Sequence, residues 1–96
     1  MMNEDFNKYN ETADMLKILA HPVRICIVKG LLSNGECNVS HMQNCLNAPQ
    51  STISQHLQKL RTAGIIEGRR NGVEIYYTVC NEKVASLMNV LLKEEK

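Results

Sequence analysis

No stretch of these 96 residues stays apolar long enough to cross a bilayer, and the opening MMNEDFNKYNETADM lacks the hydrophobic core of a secretion signal. A cytoplasmic protein is expected, with no membrane partner. Cysteine is limited to four residues, which without a secretion signal argues for reduced thiols and against a disulfide framework. A strong charge imbalance is also missing: the formal net charge is +1, so the total does not announce a nucleic-acid binder. There is no paired-carboxylate, nucleophile–base or glycine-rich phosphate signature. His21, His41 and His56 fall on separate predicted helices without evident partners. An enzyme is therefore not expected, and no cofactor or metal is called for. The length fits one domain, residues 1–96, with a core small enough that oligomerisation would help it.

What is present is concentrated between Asn44 and Gly72. Asn47-Ala48 reads as a tight turn, with Asn47 able to take the left-handed conformation that ends a helix. Pro49 suits a first helical position, and Ile53, Leu57, Leu60 and Ala63 recur at helical spacing, so a helix is predicted over about 49–63, closed by Gly64. The opposite face carries Ser51, Thr52, Gln55, Gln58, Lys59 and Thr62. Solvated faces usually mix Glu with Lys, and this one has no acid. Hydroxyls, amides and one lysine are the groups that reach phosphates and base edges in a major groove. A polar, acid-free second helix after a tight turn reads as the recognition helix of a helix-turn-helix. His56 lies at the edge of the buried face, where packing against a neighbour competes with DNA contact.

Next comes IIEGRRNGVEIYYTV. Asn71-Gly72 between strand formers signals a hairpin whose two central residues need positive φ. Strand alternation puts Val73, Ile75, Tyr77 and Val79 on one face. Arg69 and Arg70 sit beside the turn, where they would reach phosphates or a narrow minor groove. Any exposed hairpin tip tolerates arginine, but a basic hairpin directly after such a helix reads as a wing, predicted over about 65–79. Charge distribution agrees. Residues 1–20 hold Glu4, Asp5, Glu11 and Asp14 against Lys8 and Lys17, a net of −2, while residues 49–72 hold Lys59, Arg61, Arg69 and Arg70 against Glu67, a net of +3. Local charge, not the total, neutralises phosphates.

The flanking segments complete a mainly α fold of five helices with a small β-hairpin. A first helix over about 4–20 carries Phe6, Tyr9, Ala13, Leu16 and Leu19. A second starts at Pro22 with Val23, Ile25, Ile27, Val28, Leu31 and Leu32, and ends at Ser33-Asn34-Gly35. A third begins near Val39, with Val39, Met42, Cys45 and Leu46 inward. The last, about 81–94, is capped by Asn81 and carries Val84, Leu87, Met88, Leu91 and Leu92, with Val90 widening the stripe. The first and last helices hold more apolar surface than a chain this short can cover, so they are expected to pair with a second copy. A two-fold homodimer would set two recognition helices about one DNA turn apart, on an inverted-repeat operator.

ILAHPVRICIVKGLL, STISQHLQKLRTAGII (with Ser54 and His56 in register) and RRNGVEIYYTV together resemble the ArsR/SmtB family of small dimeric winged-helix repressors over nearly the whole chain. The resemblance implies dimerisation through the first and last helices and double-stranded DNA as partner. The DNA-contacting residues it implies, taken with the face described above, are Gln50, Ser51, Thr52, Ser54, Gln55, His56, Lys59, Arg69, Arg70 and Asn71. A winged-helix module that binds protein instead of DNA is the rival, and would carry an acidic or apolar recognition face.

Family members sense a metal, an arsenical or a reactive sulfur species. The Cys-Val-Cys pair of the arsenic and cadmium type is replaced here by Asn38-Val39-Ser40. The zinc type's Asp-x-His and His-x-x-His are replaced by Asn81-Glu82-Lys83 and Lys93-Glu94-Glu95-Lys96. The small inducer is thus unidentified, and the thiols are the candidate sensing groups. Cys37 and Cys45 are expected to pack, because cysteine is often buried. Cys26, beside Arg24, and Cys80, before the last helix, lie where a cation or a helix N-terminus favours thiolate. They form the expected redox or persulfide pair, in partial register with sulfur-sensing relatives. An unfamiliar metal or metalloid site from Cys37, His41 and Cys45 is the alternative.

Overall fold

The computed structural model describes residues 2–93, with side chains from Phe6 onward. Its elements are α1 (Met2–Leu19), α2 (Pro22–Asn34), α3 (Val39–Leu46), α4 (Gln50–Thr62), β1 (Ile66–Asn71), β2 (Glu74–Val79) and α5 (Glu82–Leu91). This is the five-helix winged helix-turn-helix that the sequence implies. No helix among the described residues is long and apolar enough to cross a membrane.

Side chains set the boundaries that position the helix-turn-helix. His21 is extended and its Nδ1 accepts the Val23 N–H at 3.1 Å, while Pro22 fills the first position of α2, where no donor is lost. Asn38 caps α3 by accepting the His41 N–H at 2.9 Å, and α3 ends at Asn47 with φ 54° and ψ 47°, the left-handed conformation anticipated there. Pro49 departs from expectation. Its ψ of 152° is extended, so it precedes α4 as the capping residue and Gln50 is the first helical position. A proline ring fixes φ in both wells and leaves ψ to the chain, and here the chain must still be turning. Asn81 starts α5 by accepting from Lys83 and Val84 N–H at 3.0 and 3.1 Å. That helix stops at Leu91, where Leu92 closes the last turn on the Met88 carbonyl at 2.8 Å; position 94, the expected end, lies outside the described residues.

The core runs behind α4. Val28, Ile53, Leu60, Ile65 and Val84 are completely buried, with Leu31, Leu57 and Met88 around them. Removing that much apolar side chain from water is worth about 1.5–3 kcal/mol per residue, which fixes α4 against α2, α3 and β1. On α1 only Leu19 of the stripe read from spacing packs against this core; the rest is the surplus apolar surface expected on that helix. Met15, Ile18 and Leu19 face the core, and Phe6, Tyr9 and Leu16 are 53%, 61% and 45% exposed, with Ala13 also open. Periodicity reveals a stripe without saying which neighbour covers it. Val90 and Leu91 are exposed likewise on α5. Cys45, expected inward, is exposed; only Val39, Met42 and Leu46 of α3 pack.

β1 and β2 pair antiparallel from Ile66↔Val79 to Asn71↔Glu74. The turn is therefore Gly72-Val73 and not Asn71-Gly72: Gly72 alone has positive φ, at 69°, and Asn71 belongs to the last ladder pair. This shift takes Val73 off the strand face and leaves it 95% exposed at the tip. A third, single-residue rung was not legible in the sequence. Cys37 and Tyr77 exchange both backbone hydrogen bonds, at 3.2 and 2.8 Å, and so root the wing in the α2–α3 connection.

Candidate nucleic-acid interface

With Ile53, Leu57 and Leu60 buried, the other side of α4 presents Gln50, Ser51, Ser54, Gln55, Gln58, Lys59 and Thr62 to solvent, and Thr52 is half-buried. No residue of α4 is acidic. Gln58 Nε2 lies 3.4 Å from Thr62 Oγ1, one turn on, and the remaining amides and hydroxyls are free to donate and accept on an outside partner. Gln58, Lys59 and Thr62 line a groove whose other wall carries Glu11, Asp14 and Lys17 of α1, so the part of the face from Gln50 to Gln55 is the one that stands clear to offer amide contacts to base edges.

His56 does not belong to that face. Its ring turns toward α2, where Arg24 Nη1 donates to His56 Nδ1 at 3.3 Å and the His21 ring stands 4.5 Å away, tilted by 55°. Burial lowers the His56 pKa, and His21, Arg24 and Lys59 lower it further through like charge. The same arginine donates from Nε to the Ile18 carbonyl at 2.6 Å, reaching the end of α1. The role of Arg24 went unread in the sequence because nothing in a lone arginine on an apolar helix identifies its partners.

At the wing the two arginines differ. Arg69 Nη2 is 2.6 Å from Glu36 Oε1, and its guanidinium lies 5.6 Å above the Tyr76 ring. Arg70 is exposed and makes no ion pair among the described residues. Asn38 Nδ2 also donates to Glu74 Oε1, a second strut from the α3 N-terminus to the wing. Expectation placed Arg69 and Arg70 side by side as free cations; a carboxylate from the preceding loop, distant in sequence, already holds one of them. Asn71 is exposed at the end of the ladder.

The thiols regroup as well. Cys26, Cys37 and Cys45 line one apolar cavity of about 80 Å³ between α2 and α3, together with His41, whose Nε2 is 3.6 Å from Cys45 Sγ. Cys80 is not part of that lining; its Sγ donates to the Gly64 carbonyl at 3.6 Å. Cys37 is buried as expected, and Cys26 shares this wall with Cys37, His41 and Cys45, the residues of the alternative site, because the α2–α3 angle, invisible in sequence, decides which thiols come together. All four are free. Among the described residues no group of three or more His, Cys, Asp or Glu side chains is placed to hold a metal ion.

Residues 19–69 match a family model described as a helix-turn-helix domain. The transcriptional repressor PagR of Bacillus anthracis is 38% identical over 87 residues, covering 91% of this chain and 87% of PagR. Its crystal structure superimposes with a TM-score of 0.81 over 90% of this chain and 98% of that one. The biofilm growth-associated repressor of Xylella fastidiosa is 42% identical over 92 residues, 95% of this chain and 80% of the relative. The homodimeric winged helix-turn-helix DNA-binding domain of a possible ArsR-family regulator from Mycobacterium bovis is 28% identical, with a TM-score of 0.83 over 92% of this chain and 81% of that one. These relatives are regulators of transcription, not enzymes.

Proposed function

The chain belongs to the ArsR/SmtB-like family of winged helix-turn-helix transcriptional repressors, and from that premise we propose that it acts as a homodimer on an inverted-repeat operator. The observation that carries this reading is the exposed, acid-free face of α4, backed by a fully buried one. In this reading Gln50, Ser51, Ser54 and Gln55 face the major groove, Thr52 and Lys59 contact flanking phosphates, and Arg70 with Asn71 reaches backbone or minor groove from the wing. An acid-free face also disfavours the protein-binding rival. Dimerisation through α1 and α5 is supported by the uncovered Phe6, Tyr9 and Leu16 on one helix and Val90 and Leu91 on the other. The mycobacterial relative, a homodimeric DNA-binding domain, supports dimerisation as such.

An inducer acting on cysteine thiols releases the DNA. The cavity shared by Cys26, Cys37 and Cys45 supports this regulatory step, since a modification there lies between α2 and the helix that braces α4. The test is a gel shift on duplexes from the protein's own upstream region, with and without polysulfide, arsenite and zinc, alongside sedimentation at micromolar concentration. Specific, salt-sensitive binding by a dimer is expected, weakened by polysulfide in the wild type and not in a Cys26→Ser/Cys45→Ser variant. A monomer at micromolar concentration would refute the homodimer, binding with no salt dependence would refute the phosphate contacts assigned here, and identical polysulfide responses in both proteins would refute the thiol step alone.

A further inference from the structure

We propose that Arg24 is a positioning residue for the recognition helix, tying the C-terminal end of α1 to His56 of α4, and that the tie holds only while His56 is neutral. The tautomers follow from the partners. Arginine has donors and no acceptor, so His56 Nδ1, 3.3 Å from Arg24 Nη1, must carry a lone pair and its proton must reside on Nε2. His21 Nδ1 accepts the Val23 N–H at 3.1 Å and is constrained in the same way. Protonating the His56 ring turns that acceptor into a donor facing another donor.

Charge acts in the same direction. The titratable and charged groups that face His56 are His21 and Arg24 from α2 and its N-cap, and Lys59 one turn along α4; all are cationic when protonated. No carboxylate of the described residues pairs with His56. The α1 side of the tie is equally determined: the Ile18 carbonyl lies in the last turn of α1, where carbonyls lack intrahelical donors, and Arg24 Nε supplies one at 2.6 Å. Moving the guanidinium would therefore uncover both ends. Three elements meet at this one side chain. Gln55, the neighbour of His56, presents its amide to solvent on the side away from the tie, so a small rotation of α4 there displaces the reading face. Base recognition tolerates errors of only about 0.5 Å.

The inference rests on α4 entering DNA, and the experiment separates the two. Affinity for a specific upstream duplex and for a scrambled duplex is measured from pH 8 to pH 5.5 at constant salt, for the wild type and for His56→Gln, whose amide oxygen accepts from Arg24 at every pH. Specific affinity of the wild type should fall about a hundredfold per pH unit once His56 is mostly protonated, because the dimer is competent only when both of its copies are neutral. His56→Gln should keep the high-pH affinity and lose this decline. A histidine that touched phosphate would give the opposite sign, with binding strengthening in acid. In the free wild-type protein, the Arg24 Nε–H NMR signal should lose exchange protection in step with titration of the His56 ring. Flat or rising wild-type affinity in acid, a decline unchanged in His56→Gln, or an Arg24 Nε–H still protected after His56 is protonated would each overturn the proposal while leaving the repressor reading intact. Failure to prefer the specific duplex at any pH would overturn the reading beneath it.

Discussion

Replacing Arg70 by alanine isolates what the wing contributes to DNA binding. Arg70 is exposed with no ion pair among the described residues, whereas Arg69 is engaged with Glu36 at 2.6 Å. Each neutralised phosphate contributes about 0.9 to the slope of log K against log salt. A dimer losing one phosphate contact per wing should therefore show a slope shallower by about 1.8. Raising salt from about 50 to 200 mM then weakens the variant about twelvefold less than the wild type. The assay is fluorescence anisotropy on specific and scrambled duplexes across that range, and the loss at low salt should be alike for both, since phosphates carry no sequence. Arg69→Ala should flatten the slope less. Its main loss is a solvent-exposed ion pair, 59% and 41% accessible on its two sides, worth at most about 1 kcal/mol in stability. If Arg69→Ala flattens the slope as much as Arg70→Ala, the Glu36 contact does not survive on DNA and the division between the two arginines is wrong.

Gln55→Ala should cost about 1–3 kcal/mol on the specific duplex and relax preference at one base pair, seen by competition with single-base variants; equal loss on every sequence would place Gln55 on the backbone. Gly68→Ala should destabilise the wing, since its Cβ would lie 2.9 Å from Ile75 Cγ2 and 3.1 Å from Tyr77 Cε1. A loss of about 1–3 kcal/mol in urea unfolding is expected, and no loss would mean the two side chains yield freely. Because His56 titrates below its unfolded value of 6.5, the folded state holds fewer protons there than the unfolded chain. Its stabilising contribution is present above that value and is lost as pH falls toward the folded pKa. Urea midpoints should decline over this window in the wild type and less in His56→Gln, and parallel declines would discount the group.

Alternation and spacing were enough to locate the helix-turn-helix and the wing, because α4 has one face too apolar for water and another without acid, and both properties are written residue by residue. The Asn47 turn and the Asn81 cap were legible for a similar reason: each side chain acts on backbone two or three residues away. Reading failed wherever the partner was remote in sequence. Val73 was placed on a strand face because the register, set by the pairing of Asn71 with Glu74, cannot be counted from one strand. On α1 spacing marks an apolar stripe, and only the packed neighbours decide that Met15 and Ile18 join Leu19 in the core.

The chain by itself determined the order of elements, the polar character of the reading helix and the basic hairpin, since these are local consequences of hydrophobic periodicity and backbone preference. Tertiary structure alone decided that Arg69 meets Glu36, that Cys26 shares a wall with Cys37 and Cys45 and not with Cys80, and that His56 turns from the outer face toward Arg24 and His21. Each of those outcomes depends on the angle at which one helix crosses another, and that angle is the sum of many small packing contacts that no single stretch of sequence contains.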